Sequence, residues 1–415
     1  MEQRKGLRCK VCTGCGLCPG IQKTKDSSIQ ILTESLPDER ESCEFANPSM
    51  RLAVADIGTT TIAMQLLGRD GSCEESFVRL NPQSVYGADV LSRITHAEEA
   101  EKALEMQTMV RKVLEDGLRA FEGFLAVGET ICLIIAANTT MNYLLAGFPP
   151  KRLGQAPFLA EHLEPMELTF LEGRVKGFVF PGLSAFVGGD IVAGILACHM
   201  DRQEEITLLI DLGTNGEMAL GNNKRILATA TAAGPAFEGG ANRGVFGSDM
   251  IHLTHALLQE GILDETGLLQ EPFFDKGVRA GNVLVTQPAI RSLQCAKAAI
   301  QAGIHILVKK YGISFAEVDR VVLAGGFGYF LNPADAAGIG LLPGDFLGKT
   351  ISGGNTALLG ARMLGKRLLQ KVPNPALKDW TALFQDQLCA QILNLAEEPG
   401  FAKSYTDAMA LRASR

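Results

Sequence analysis

A chain of 415 residues, 47% hydrophobic, is long enough for two or three domains that each bury a core. Its net charge of −7 leaves no basic stripe to follow a phosphate backbone, which excludes nucleic acid as a natural ligand. With 45 glycines and few aromatic residues, the composition suits an α/β protein with many tight strand-to-loop turns.

Residues 1–20 hold Cys9, Cys12, Cys15 and Cys18 in RCKVCTGCGLCPG, four of the ten cysteines. The N-terminus is basic but has no apolar run, so a secretory leader is not expected. The polar residues 21–49 read as a linker or short covering segment, and 1–49 is the first unit of the chain. From Leu52, RLAVADIG predicts a strand ending in an acidic residue, with a second strand after the Gly-Thr-Thr turn. Residues 97–127 have helical spacing, and ICLIIAANTT predicts a buried strand. A lobe over 50–147 follows, then an intervening region over 148–205, irregular and rich in proline up to about residue 180. The apolar stretch at 178–200 is broken by Pro181, paired glycines and Asp190, so it reads as core and loop; no membrane span is expected. ITLLIDLGTNGEMAL repeats the strand, acid, Gly-Thr, strand pattern and opens a second lobe over 206–415. Within it, 287–312 predicts a long helix with Ile290, Leu293, Ala296, Ile300, Ile304 and Leu307 on one face, leading into VDRVVLAGGFG, a strand and glycine turn. A final helix is expected after GGNTALLGARMLG, and 376–415 reads as a helical cap. The remaining cysteines, Cys43, Cys73, Cys132, Cys198, Cys295 and Cys389, fit reduced thiols in the cytoplasm.

A strand that ends in Asp and turns through Gly-Thr gathers backbone N–H groups, hydroxyls and a carboxylate at one point, the parts a magnesium-bound phosphate needs. One such loop is more often a structural hairpin. Two at domain-scale separation, ADIGTTT from Ala55 and IDLGTNGE from Ile210, with AGGFG at 324–328 as a third loop, resemble the acetate kinase, sugar kinase, Hsp70 and actin superfamily. That resemblance implies an α/β fold, a two-lobed ATPase of actin/Hsp70/acetate-kinase type with a short cysteine-rich segment ahead of it.

Longer segments narrow the likeness: NPQSVYGADVLSRI at 81–94, AANTTMNYLLAG at 136–147, FVGGDIVAGILA at 186–197, ATATAAGPAFEGG at 228–240, FGYFLNPADAAGIGLLP at 327–343 and GGNTALLGAR at 353–362. Together they resemble the reductive activators of corrinoid proteins, from about Leu52 to the C-terminus. The resemblance implies ATP and Mg2+ as ligands. It also implies a low-potential electron donor, a corrinoid protein of a methyltransferase system as partner, delivery of an electron to Co(II) to restore Co(I), and a homodimer. By position, Asp56, Gly58, Thr59 and Thr60 would form the first phosphate loop and Asp211, Gly213, Thr214 and Asn215 the second. Gly325, Gly326 and Phe327 would line the adenosine side. Asp190 is a candidate for ordering metal or attacking water, or else a helix N-cap. Gly234 and Glu238, in AAGPAFEGG, are nucleotide-site candidates, with Glu238 equally readable as a loop carboxylate holding backbone amides. Ala289 stands where the family suggests an acidic residue.

In the cysteine segment, CxxCxxC lets successive thiolates wrap one cluster, whereas zinc sites usually draw two CxxC knuckles from separate segments. One [4Fe–4S] cluster on Cys9, Cys12, Cys15 and Cys18 is expected, with Cys43 the alternative fourth ligand. About 50 residues cannot hold the larger plant-type ferredoxin domain of the better-known activators. Other readings are an activator of a 2-hydroxyacyl-CoA dehydratase or double-cubane protein, and a small-molecule kinase or Hsp70-like module with a zinc tail.

Overall fold

The structure, a computed structural model, describes residues 36, 44–213, 215–234, 247–280, 283–384 and 390–412. The five cysteines of the N-terminal segment, Thr214 and Glu238 lie outside them.

The first lobe is built on β1 (Met50–Ile57), β2 (Thr61–Leu67), β3 (Cys73–Leu80), α1 (Val90–His96), α2 (Ala100–Glu122), β4 (Thr130–Ala137) and α3 (Thr139–Ala146). It continues through β5 (Met166–Phe170), β6 (Val175–Val179) and α4 (Gly189–Ala197). Its sheet runs β3-β2-β1-β4-β6-β5. The second lobe opens with β7 (Thr207–Leu212), β8 (Gly216–Asn222), β9 (Arg225–Thr231), α5 (Gly247–Gln259) and α6 (Phe273–Lys276). The small pair β10 (Val278–Ala280) and β11 (Val283–Val285) leads to α7 (Gln287–Tyr311), β12 (Arg320–Ala324), α8 (Gly325–Gly328) and α9 (Pro333–Gly338). Then come β13 (Thr350–Gly354), α10 (Thr356–Lys371), α11 (Leu377–Ala382), β14 (Ala390–Ile392) and α12 (Phe401–Asp407). The second sheet runs β13-β12-β7-β8-β9-β14.

Read from the hairpin outward, the two sheets share one order. In each, the acidic strand pairs antiparallel with its hairpin mate and parallel with the strand after the long helix. The internal repeat seen in the Gly-Thr loops is therefore a repeat of a whole α/β unit.

Layering follows from the period of 2 in the central strands. Ala53, Ala55 and Ile57 of β1 face the core with Met106, Val110 and Leu114 of α2, while Leu52 and Val54 face Leu358, Ala361 and Leu364 of α10. Likewise Leu208, Ile210 and Leu212 of β7 join Ile290, Leu293 and Ile300 of α7, and Leu209 joins Ile191 and Ile195 of α4. Both faces of these strands are covered, which is why they read as continuous apolar runs. Both inner helices lie between the two sheets: α4, after β6, meets β4 of its own lobe and β7 of the other, while α10, after β13, meets β12 of its own lobe and β1 of the other. The two cross where Gly360 lies so close that an added Cβ would sit 2.0 Å from the Ala193 carbonyl oxygen.

Three readings are corrected. The segment expected to be irregular up to residue 180 contains β5 and β6, which extend the first sheet past residue 147. The expected helix after GGNTALLGARMLG begins inside it, at Thr356, because Asn355 supplies the cap through its side chain to the Leu358 N–H. The expected helical cap over 376–415 also contributes a strand, β14, beside β9. Its Trp380 is fully buried in the first lobe, donating from Nε1 to the Val179 carbonyl at 2.8 Å among Phe178, Phe180 and Phe384. The expected long helix is α7, and all six predicted positions are buried. No described helix is long and apolar enough to cross a membrane.

Candidate functional site

The acidic strands β1 and β7 end at the mouth between the lobes, where the first turns of α3, α4 and α10 also begin. Asp56 is the penultimate residue of β1 and Asp211 that of β7. Asp190 enters from the first turn of α4; the cap of that helix is Gly188, so Asp190 is not the N-cap, and its Oδ1 accepts the Ile191 N–H at 2.8 Å. Glu217 of β8 stands directly opposite Asp211 in the hairpin register.

These four carboxylates perturb one another. Burial pushes Asp56 up to about 7, with the Asn355 amide opposing and Asp190 adding to the rise. Burial raises Asp190 to about 6. Burial, then the charges of Asp190 and Asp211, hold Glu217 well above the carboxylate range. Asp211 reaches about 8, through burial and then Asp190 and Asp56. Buried like charges of this kind call for a counter-cation or protons. Among the described residues no group of three or more His, Cys, Asp or Glu side chains could hold a metal ion directly. That donor set suits an ion such as magnesium, which keeps several waters and takes one or two carboxylates together with phosphate oxygens.

The first loop is fixed from behind. Gly58 N–H bonds the Thr61 carbonyl at 2.9 Å, closing the turn. The Gly58 carbonyl accepts Asn81 Nδ2 at 2.9 Å, that of Thr59 accepts Arg93 Nη2 at 2.6 Å, and that of Thr60 accepts the Asn81 N–H at 2.8 Å. Asn138, which caps α3, donates to Thr59 Oγ1 at 3.3 Å. Thr59 is buried and Thr60 exposed. A hydrogen bond to a charged group such as Arg93 contributes about 1.5–3 kcal/mol. The second loop closes one residue tighter, with Gly213 N–H on the Asn215 carbonyl at 3.1 Å.

The third loop abuts the second. Gly325 has φ of +80°, and a Cβ there would lie 2.4 Å from Asp211 Oδ1 and 2.7 Å from the Leu212 carbonyl oxygen, so only glycine lets the turn approach the acidic strand. Gly326 faces open space, while Phe327 packs partly against the second lobe's core. Gly234, with φ of +70°, also borders open space. Ala289 is buried in the first turn of α7 as part of the same core.

Sequence reasoning missed Glu217 and Asn355. Glu217 was present in IDLGTNGE, and strand alternation across a three-residue turn puts it opposite Asp211. Asn355 donates from Nδ2 to Asp56 Oδ2 at 2.8 Å. Its signal was the parallel between GGD at 188–190 and GGN at 353–355, each opening an inner helix. Arg93, buried beneath the first loop, carries no motif that spacing alone reveals.

A cavity of ≈ 490 Å³ lies elsewhere, lined by Arg51, Arg69, Glu74 and Glu129 among others. Arg51 sits five residues before Asp56, about 17 Å back along β1 at about 3.3 Å per residue. Its guanidinium is paired with Glu74 and Glu129, and Arg69 also pairs with Glu129, so the cavity is lined by an ion network. Cys132 and Cys198 are buried free thiols whose burial pushes both up to about 12, which keeps them protonated and inert.

Family comparison assigns residues 52–203 to the RACo middle region, and residues 205–243 and 240–415 to the C-terminal domain of RACo, the ASKHA domain. The chain is 30% identical over 357 residues to the corrinoid activation enzyme RamQ of Eubacterium limosum, an overlap of 69% of this chain and 59% of that protein. It is 25% identical over 371 residues to the [Co(II) methylated amine-specific corrinoid protein] reductase of Methanosarcina barkeri, covering 74% of this chain and 68% of that one. Among solved structures it resembles a reductive activator for corrinoid, iron-sulfur protein, with a TM-score of 0.73 and 27% identity over 87% of this chain and 66% of that chain. The chain therefore spans less than two thirds of the length of RamQ and of that solved activator.

Proposed function

This chain belongs to the RACo family, and from that premise we propose that it is an ATP-dependent reductive activator, passing one low-potential electron to the Co(II) corrinoid of a methyltransferase system to restore Co(I). Support comes from the named activities of its relatives and from the mouth between the lobes. The observation that carries the reading is the convergence of two repeated Asp-Gly-Thr turns on four carboxylates, Glu217 buried and Asp56, Asp190 and Asp211 half-buried, with Gly325 pressed against Asp211.

In this reading Asp56, Asp190 and Asp211 hold the hydrated ion of a magnesium nucleotide, and Glu217 reinforces Asp211 from across the hairpin. Gly58, Thr59 and Thr60, with Gly213, Thr214 and Asn215, flank the phosphates. Gly325, Gly326 and Phe327, together with Gly234 and Glu238, border the nucleoside. A bound magnesium nucleotide would supply the differential affinity for open and closed clefts that shifts the complex with the corrinoid partner. A [4Fe–4S] cluster on Cys9, Cys12, Cys15 and Cys18 would supply a one-electron carrier of low potential, a reading that rests on the cysteine spacing.

The test uses anaerobically purified protein, a Co(II) corrinoid carrier protein and a low-potential reductant, and follows the Co(I) absorption band with and without Mg-ATP. An ATP-dependent rise that is lost in Cys12→Ala is expected. Equal reduction with and without ATP would refute the ATP-dependent activator, and absence of iron would refute the cluster.

A further inference from the structure

The repeat of the two lobes makes one difference between them informative. In the superposable order of the sheets, β1 corresponds to β7, β6 to β13, and α4 to α10. GGD at 188–190 therefore corresponds to GGN at 353–355, and Asn355 reaches the acidic strand of the opposite lobe. The contacts of the two residues differ. Asn355 uses both ends of its amide: Oδ1 accepts the Leu358 N–H at 2.8 Å, which caps α10, and Nδ2 donates to Asp56 Oδ2 at 2.8 Å. Asp190, at the matching place, brings a carboxylate rather than an amide, and its charge acts on Asp56, Asp211 and Glu217 alike.

We propose that Asn355 is a positioning residue and a cross-lobe tie, which orients the Asp56 carboxylate and joins α10 to β1. The inference rests on the nucleotide reading for its functional part. A neutral amide can satisfy a carboxylate without any ligand, whereas two carboxylates cannot satisfy one another. The pair of Asn355 and Asp56 therefore stays joined whether or not nucleotide is bound. Because the tie is set at the N-terminus of a 16-residue helix that packs on both sheets, movement at the mouth pivots about Asp56 and Asn355.

The decisive substitution is Asn355→Asp, which keeps an acceptor for the Leu358 N–H but replaces the donor by a second carboxylate against Asp56. The charged groups facing that pair are Asp190 on α4 and Asp211 on β7, with Glu217 on β8 behind them. With no donor left between them the two carboxylates compete for the same space, and Mg-ATP affinity is expected to fall roughly tenfold or more. Asn355→Ser keeps a side-chain oxygen that can cap α10 but is too short to reach Asp56, and its affinity is expected to fall by a similar factor. A residue that merely caps α10 would leave Asn355→Ser with the affinity of the wild type, and that result overturns the proposal. A third variant reverses the tie: Asp56→Asn combined with Asn355→Asp restores an amide–carboxylate pair with the roles exchanged. Its thermal midpoint is expected to recover what Asn355→Asp alone loses, and failure to recover overturns the tie. If the wild type binds no Mg-ATP, the nucleotide reading falls, and the midpoint of the reversed pair still decides whether Asn355 joins the lobes.

Discussion

Raising the pH of the nucleotide-free protein from about 6 to about 8 should destabilise it, opposite to the behaviour of salt-bridged carboxylates. The sign follows from the direction of the shifts. Asp56, Asp190 and Asp211 are raised to about 7, 6 and 8, so between an unfolded value near 3.8 and these values the folded chain binds more protons than the unfolded one. Stability is then highest below the unfolded value and is lost as pH rises through the folded ones. One proton held only by the folded state changes stability by about 1.4 kcal/mol per pH unit. Over this window that gives about 1.4 kcal/mol from Asp56, about 2 from Asp211 and under about 1 from Asp190. Since each carboxylate raises the others, the shared loss is about 3 kcal/mol rather than the full sum. Urea unfolding midpoints at the two pH values measure it, with Asp211→Asn as the control. That variant should keep less than half of the pH slope, and saturating Mg-ATP should flatten it by supplying the positive charge that the protons otherwise provide. A wild-type midpoint that is level or rises toward pH 8 would refute mutual repulsion among these groups.

Three further outcomes test the framework around the site. Gly360→Ala puts a methyl 2.0 Å from the Ala193 carbonyl oxygen at the crossing of the inner helices; overpacking there should cost about 3 kcal/mol or more, read as a lower urea midpoint. Gly325→Ala combines φ of +80° with a contact of 2.4 Å to Asp211 Oδ1. It should abolish measurable Mg-ATP binding and cost about 2–4 kcal/mol of stability, since a strained φ is added to overpacking against the Leu212 backbone. Trp380→Ala removes a fully buried ring and its bond to the Val179 carbonyl, for an expected loss of about 3–5 kcal/mol and earlier proteolysis of the chain after residue 372.

Sequence by itself determined the parts governed by local physics. Strands flanked by Asp and Gly-Thr were legible in LAVADIG and LLIDLG because apolar runs ending in turn residues have few other solutions, and α7 was legible from its period of 3.6. Asp56, Asp190 and Asp211 were all singled out, since a carboxylate beside glycine at a strand end or helix start is visible as such. What only the tertiary structure decided depends on long-range pairing. The strands at 166–179 are short and sit at the edge of a sheet whose order no local pattern encodes, so their chain read as irregular. Trp380 sits in a short mixed segment, LKDWTALF, whose packing partners Phe178 and Phe180 lie about 200 positions earlier in the chain. Asn355 and Asp56 lie 299 positions apart in the chain, and no spacing rule relates them. Their contact exists because the inner helices α4 and α10 lie between the two sheets, which brings two distant strand ends and two helix starts to one mouth; local sequence specifies the pieces, and only the stacking of the lobes specifies which carboxylate meets an amide.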